Sequence, residues 1–309
     1  MTNRRSWQAG TLPSRLAAQT DYALATGALK PIATEYEFIE QAGVSFLVRI
    51  LANLARKEAA KKVQQQREHK TGQTYNPFLP YEADLYVTDI SETHLCLLNK
   101  FNVVDHHMLI ITRDYEPQAA WLTLADFEAL WKCMAEIDGF MFYNAGTTAG
   151  ASQRHKHLQL VPLPMLAGLP TVPIETVLQT VSFKDGLGYA EPLPFVHAIA
   201  QLPDLTAIKH SADGGQCLLE IYQRLLETLN IHDPSYRWQG EQTVAYNLLG
   251  TRDWLMAVPR SQESFRTISV NSLGFAGSLL VKNAEKLNDL KTIGPMTLLE
   301  QVGISRGAR

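Results

Sequence analysis

A chain of 309 residues with 46% hydrophobic and 19% charged content is long enough for one large core or two packed domains. Its 28 basic and 31 acidic residues give a formal net charge of -3, which argues against nucleic-acid binding through a broad cationic surface and leaves any anionic ligand to local groups. Three scattered cysteines, no signal-peptide core after Met1 and no run near the roughly 18 to 20 apolar residues of a membrane span exclude a disulfide scaffold and a membrane-embedded chain; a cytoplasmic protein starting at Met1 is expected.

From residue 16 to 54 the pattern predicts mostly helix, with a strand-like break over 44–50. The basic run Arg56-Lys57-Glu58-Ala59-Ala60-Lys61-Lys62 reads either as a solvated helix face or as a place where one lysine reaches a phosphate. Asn76-Pro77-Phe78-Leu79-Pro80 is a turn, and residues 85–90, 94–99 and 107–112 then read as successive strands of an antiparallel sheet. Leu124, Phe127, Leu130, Trp131, Met134 and Ile137 recur at helical spacing behind Asp126, predicting a helix over 124–142 that packs on that sheet. The small-residue loop Asn144-Ala145-Gly146-Thr147-Thr148-Ala149-Gly150-Ala151-Ser152-Gln153 follows and leads into His155-Lys156-His157-Leu158-Gln159.

Prolines cluster between 162 and 203 and place a boundary near residue 190, dividing the chain into 1–189 and 190–309. Beyond it, 217–229 is predicted helical, and 243–249, 254–258 and 267–270 are predicted strands. Met108-Leu109-Ile110-Ile111-Thr112-Arg113 is echoed by Trp254-Leu255-Met256-Ala257-Val258-Pro259-Arg260, and Asn144-Ala145-Gly146 by the run Asn271-Ser272-Leu273-Gly274. Echoes of this length leave internal duplication open.

In an extended strand, residues two apart share a face, so His155, His157 and Gln159 project together while Lys156, Leu158 and Leu160 project the other way. A neutral imidazole is a competent nucleophile towards phosphorus, and His157, between two polar neighbours, is the expected attacker. Gly150, Ala151, Ser152 and Gln153 offer backbone N–H groups with little bulk in the way, and Gln159 offers an amide donor that does not titrate. Two other readings explain the histidine pair by itself. A zinc site would need a third ligand, and His94, Cys96, His106 and His107 show no recognisable ligand spacing. Two core histidines satisfied by hydrogen bonds would leave the loop and the in-register glutamine unexplained.

Three blocks carry a family resemblance: Leu98-Asn99-Lys100-Phe101-Asn102-Val103-Val104, the segment from Tyr143-Asn144-Ala145-Gly146 to His157-Leu158-Gln159, and Ser269-Val270-Asn271-Ser272-Leu273-Gly274-Phe275-Ala276-Gly277. The chain resembles the ATP adenylyltransferases, or diadenosine tetraphosphate phosphorylases, of the histidine-triad-like superfamily. The resemblance implies an α+β fold of antiparallel sheets with packed helices, related to galactose-1-phosphate uridylyltransferase. Residues 1–189 would form the histidine-triad-like catalytic part, and 190–309 the adenylyltransferase part that completes the nucleotide site.

It also implies reversible conversion of diadenosine tetraphosphate and phosphate into ATP and ADP through a nucleotidyl group on His157, with His155 and Gln159 beside it. A dinucleoside polyphosphate hydrolase using the same histidine is the alternative. Nucleotide contacts carried over from the family fall on Lys57, Asn99, Lys100, Asn144, Gly150, Ala151, Ser152, Gln153, Gln159, Asn271, Ser272, Leu273, Ser278 and Lys282. A divalent cation, Mg2+, would travel with the polyphosphate, and no tightly bound cofactor is implied. The expected partners are nucleotides and phosphate, for a monomer or homodimer. His107 is left as a partner of the motif or as a simple buried histidine.

Overall fold

The computed structural model describes residues 5–51, 75–169, 172–204, 207–208 and 210–308. Helix α1 (Leu12–Thr26) starts with a proline in its first turn and stops at Gly27, whose φ of 73° is left-handed. It buries Leu12, Leu16, Gln19, Thr20 and Ala23 along one stripe. The helix predicted from 16 to 54 therefore ends early. Strand β1 (Thr34–Gln41) replaces helix and pairs antiparallel with β2 (Val44–Leu51), which coincides with the strand-like break expected over 44–50, through a turn at Ala42 and Gly43, both at positive φ. The physical reason is in the letters: Glu35, Glu37 and Glu40 break up the apolar residues at strand rather than helix spacing. The basic run 56–62, Lys57 included, lies outside the described residues.

Strands β3 (Tyr86–Asp89), β4 (His94–Leu98) and β5 (Met108–Thr112) are antiparallel neighbours, in agreement with the sequence reading. Helix α2 (Leu124–Glu136) opens with a capping box in which Thr123 and Asp126 satisfy each other's backbone N–H groups. The helix predicted to run to residue 142 stops at Glu136, and Gly139–Ala145 is strand β6, buried along its whole length. A strand covered on both faces shows no alternation, so its apolar run merged with the helical pattern before it.

Strand β7 (His157–Pro162) carries the histidine motif. Then follow α3 (Glu175–Leu178), β8 (Leu187–Gly188), β9 (Ala198–Gln201), α4 (Ser211–Thr228), β10 (Tyr246–Gly250) and β11 (Trp254–Pro259). The chain closes with β12 (Ser264–Phe265), β13 (Ile268–Ser269), α5 (Ser272–Phe275), β14 (Ser278–Val281), α6 (Ala284–Ile293) and α7 (Pro295–Val302). The strand expected over 267–270 is only the two residues of β13.

Nine strands make one sheet in the order β3-β4-β5-β7-β6-β10-β11-β9-β8, with every neighbouring pair antiparallel. The order contains a duplication. The run β4, β5, α2, β6, β7 lies as 4-5-7-6, and the run β8, β9, α4, β10, β11 lies as its reverse, 10-11-9-8, so the halves meet at β6 and β10. The echo in the letters is a different one: residues 108–113 sit on β5, whose topological counterpart is β9, whereas residues 254–260 sit on β11.

Alternation across the central strands builds two cores. On one face Met141, Tyr143, Leu158, Leu160 and Leu248 pack with α1, α2 and α4. On the other Phe140, Phe142, Leu249 and Met256 pack with α6, α7 and the small sheet β1-β2-β14, in which β14 runs parallel to β2.

Helices α2 and α4 cross closely because Gly214 and Gly215 lie at the contact. A β-carbon on Gly215 would meet the Glu128 backbone N at 2.8 Å, and one on Gly214 would meet the Trp131 ring. Gly215→Ala, which on helix propensity alone gains about 1 kcal/mol, is expected to lose about 1 to 3 kcal/mol through overpacking. Denaturant unfolding checks this; a stabilised variant would contradict the close crossing. No helix among the described residues is long and apolar enough to cross a membrane.

Candidate active site

β7 lies between β5 and β6, with Ile111 opposite His157 and both Leu109 and Phe142 opposite Gln159. His155, one turn of the zigzag earlier, bridges to Pro117. Beneath this face, Lys156 is fully buried, with its ammonium 2.7 Å from Glu116 Oε2 and 3.0 Å from Asp126 Oδ2. Asp126 also meets His94 Nε2 at 3.0 Å. Burial works against the Asp126 charge, but the His94 hydrogen bond and the Lys156 charge hold its carboxyl below the ordinary value. This cluster, buried except for Glu116, anchors the motif from the face of the strand opposite the histidines.

The protonation of each imidazole follows from its neighbours. The Phe78 backbone N–H donates to Asn76 Oδ1 (2.9 Å), which turns the Asn76 amide nitrogen to His155 Nδ1 (2.9 Å). Nδ1 must accept, so His155 carries its proton on Nε2 and donates it to the Thr112 carbonyl at 2.8 Å. His157 has the other tautomer: Nδ1–H donates to the His155 carbonyl at 2.8 Å. Its Nε2 makes no hydrogen bond to any described residue, so a lone pair is left facing the site.

Burial pushes the His157 pKa down to about 4, and the hydrogen bond to the His155 carbonyl only partly opposes this. The Phe78 ring lies edge-on to both imidazoles, 5.5 Å from each. His157 is 4% exposed, so it is covered yet has one nitrogen unengaged.

The small-residue loop is a 3-10 turn, Thr147–Ala149, between Gly146 and Gly150, both at positive φ. A β-carbon on Gly150 would lie 2.8 Å from the Val270 carbonyl and 2.9 Å from Asn271 Cβ, so glycine permits the contact between loop and C-terminal part. The Gly150 and Ala151 N–H groups close the turn on the Thr147 and Gly146 carbonyls. Of the four backbone donors expected to face an anion, these two are thus engaged within the loop. Among the described residues those of Ser152 and Gln153 donate to no carbonyl.

A buried amide and guanidinium network holds the loop and motif together. Gln118 accepts the His157 backbone N–H at 2.8 Å and donates to the carbonyls of Asn144 and His157. Asn144 Oδ1 accepts from Asn247 Nδ2 (2.8 Å) and from the Ser272 N–H and hydroxyl. Arg260 donates to Asn247 Oδ1 (2.7 Å) and to the carbonyls of Ala149, Val270, Gln262, Glu263 and Val302. Gln118, Asn247, Arg260, Asn76 and Phe78 were not singled out from the sequence as site residues. Asn247, a polar residue inside the apolar run of β10, was the one local signal available.

The structure therefore gathers His155, His157, Gln159, Asn144, Gly150, Ala151, Asn271 and Ser272, with Ser152 and Gln153 leading into the motif. Asn99 joins through His107. Asn271 caps α5 by accepting the Leu273 N–H. Ser272 is fully buried with its hydroxyl on Tyr143 and Asn144. Lys100 pairs with Glu82 at 2.5 Å in the turn after β4. Ser278 starts β14 opposite Leu47, and Lys282 is exposed just past that strand. Among the described residues, no hydrogen bond or ion pair joins Lys100, Ser278 or Lys282 to the histidines, and no group of three or more His, Cys, Asp or Glu is placed to hold a metal.

Comparison with known proteins finds that residues 2–180 match the Ap4A phosphorylase N-terminal domain and residues 191–305 the ATP adenylyltransferase C-terminal domain. The chain is 29% identical over 278 residues to diadenosine 5',5'''-P1,P4-tetraphosphate phosphorylase 2 of Saccharomyces cerevisiae, across 81% of this chain and 80% of that protein. It is 28% identical over 219 residues to Protein APA1 of the same yeast, 63% of each chain. A crystal structure of yeast Ap4A phosphorylase Apa2 is similar with a TM-score of 0.75 and 25% identity, covering 99% of this chain and 96% of that one. The same protein in complex with Ap4A gives a TM-score of 0.75 at 24% identity, covering 99% of both chains.

Proposed function

The chain belongs to the Ap4A phosphorylase family, and on that footing we propose that it converts diadenosine tetraphosphate and phosphate reversibly into ATP and ADP, carrying the adenylyl group on His157. The observation that carries the reading is the His157 ring itself: Nδ1 is tied to the strand's own carbonyl while Nε2 keeps its lone pair, on the strand that also carries Gln159 two residues on. A relative alike over four-fifths of its length is named for this phosphorolysis.

Nε2 attacks an α-phosphorus in line; the P–N bond forms as the bond to the bridging oxygen breaks, and ATP leaves with that electron pair. An oxygen of inorganic phosphate then attacks from the vacated side, the P–N electrons return to Nε2, and ADP leaves. Two inversions give net retention. The Nδ1–H to carbonyl bond holds the ring's orientation through both steps and stabilises the charge that the ring acquires. Both the leaving group and the acceptor are phosphate anions that need no added proton, which suits an amide at position 159 in place of an acid. The Ser152 and Gln153 N–H groups and the Gln159 amide meet the phosphoryl oxygens. Lys57, Lys100 and Lys282 offset the polyphosphate charge, and a divalent cation, Mg2+, arrives with the substrate. With three free cysteines, a reducing cytoplasm is the compartment that fits.

Chromatography after incubation with diadenosine tetraphosphate tests this reading. ATP and ADP are expected with phosphate present, and no sustained turnover without it; continued release of AMP and ATP without phosphate would point to a hydrolase. The buried imidazole adds a pH prediction. Protonation removes the lone pair, so activity is lost as pH falls through the His157 pKa. The acid limb of adenylyl-transfer to the enzyme, measured in single turnovers, is expected near pH 4 rather than near 6.5. A limb at 6.5 would contradict the buried, neutral ring.

A further inference from the structure

We infer that His107 is a positioning residue that fixes which end of the Gln159 amide faces the transferring phosphoryl group, and that Asn99 and the Phe101 backbone set His107 in turn. The inference rests on the adenylyl-histidine reading above and extends it to the residue beside the nucleophile.

A glutamine amide can present either a donor or an acceptor, and for phosphoryl transfer the difference is large. An NH2 group stabilises an anionic oxygen, whereas a carbonyl oxygen repels it. Something must choose, and a chain of hydrogen bonds that starts at an unambiguous donor does so. The Phe101 backbone N–H donates to Asn99 Oδ1 at 3.3 Å. The Asn99 amide nitrogen therefore faces His107 Nδ1, at 3.2 Å, and Nδ1 accepts. The remaining proton of a neutral His107 lies on Nε2, which donates to Gln159 Oε1 at 3.0 Å. With Oε1 held, the Gln159 NH2 is turned away from His107, and among the described residues it has no partner.

The relay works only while His107 stays neutral, and burial drives its pKa down to about 4. The ring is also held in place: the Asn99 backbone N–H donates to the His107 carbonyl at 2.8 Å, and Phe142 packs against the imidazole at 5.7 Å. Asn99 has both amide atoms engaged in this relay, which gives it a part to play through His107.

The test is a double-mutant cycle on diadenosine tetraphosphate phosphorolysis with His107→Phe, Gln159→Leu and the pair, run beside wild type. If His107 acts through the Gln159 amide, each single variant loses about 30-fold in kcat, with KM within about threefold, and the double variant loses about 30-fold rather than about 1,000-fold. His107→Gln, whose amide nitrogen can take the place of Nε2, is expected to recover at least about tenfold of the loss. If His107→Phe does not fold, His107→Asn, too short to reach Gln159, replaces it in the cycle. Losses that multiply, or a loss in His107→Phe confined to KM or thermal stability, would overturn the inference. A wild-type enzyme that yields no ATP and ADP would instead defeat the underlying functional reading.

Discussion

His157→Ala is expected to lower turnover of diadenosine tetraphosphate by about three to six orders of magnitude, the usual cost of removing a covalent nucleophile. The size follows from what remains. Gln159, the loop and the polyphosphate contacts would still bind and orient substrate, so KM should change far less than kcat, but no other group stands where Nε2 stands. His155 cannot substitute: its Nδ1 is held by Asn76 and its Nε2 by Thr112. Steady-state kinetics with a calorimetric check on folding decides the matter. A variant keeping more than about a tenth of the wild-type rate would show that the chemistry runs elsewhere.

The second large effect belongs to a residue with no place in the reaction itself. Arg260 is 4% exposed, and burial brings its pKa down to about 10, so it stays charged at neutral pH. It donates to five backbone carbonyls and Asn247, joining the small-residue loop at Ala149 to Val270 and to the end of α7 at Val302. Arg260→Met would leave Asn247 Oδ1 and the Val270 and Gln262 carbonyls without their donor, at about 1 to 3 kcal/mol for each one that water cannot reach, while the carbonyls of Ala149, Glu263 and Val302 keep a second donor. A loss of at least ~3 kcal/mol in unfolding free energy is therefore expected. Asn247 Nδ2 still donates to the Ala149 carbonyl, but without Arg260 its Oδ1 is released and the tie from Ala149 to Val270 is lost, so the loop shifts and kcat/KM should fall by about 100-fold even at temperatures where the variant is folded. Arg260→Lys is expected to repair little, since three donors on one nitrogen cannot reach six acceptors spread around the three guanidinium nitrogens. Wild-type stability and activity in Arg260→Met would refute the network's role.

The histidine strand and its loop were more legible in the sequence than the scaffold that holds them. His155, His157 and Gln159 were legible because period-2 alternation on a short strand is a local property, and the buried Lys156 on the opposite face agrees with it. The strands over 85–112 and the small-residue loop were legible for the same reason. The end of α2 was not, because β6 is covered on both sides and its run Gly139-Phe140-Met141-Phe142-Tyr143 has no polar beat. Strand β1 was mistaken for helix where exposed Tyr36 and Phe38 alternate with glutamates, whereas β2 falls on the strand-like break expected over 44–50. Gln118 and Arg260 act across 39 and 111 residues of chain, on His157 and Ala149, and no local pattern encodes a partner that far away. The duplication shows the same limit: strand order repeats, yet the letters that echo each other fall on strands that do not correspond.

Trapping the enzyme with diadenosine tetraphosphate radiolabelled at both α-phosphorus atoms, in the absence of inorganic phosphate, tests the central claim most directly. The account predicts one label per chain on His157, stable to alkali and lost in acid as a phosphoramidate is, and released as labelled ADP when phosphate is added. Enzyme that turns over normally yet carries no such label, or carries it on another residue, would contradict it.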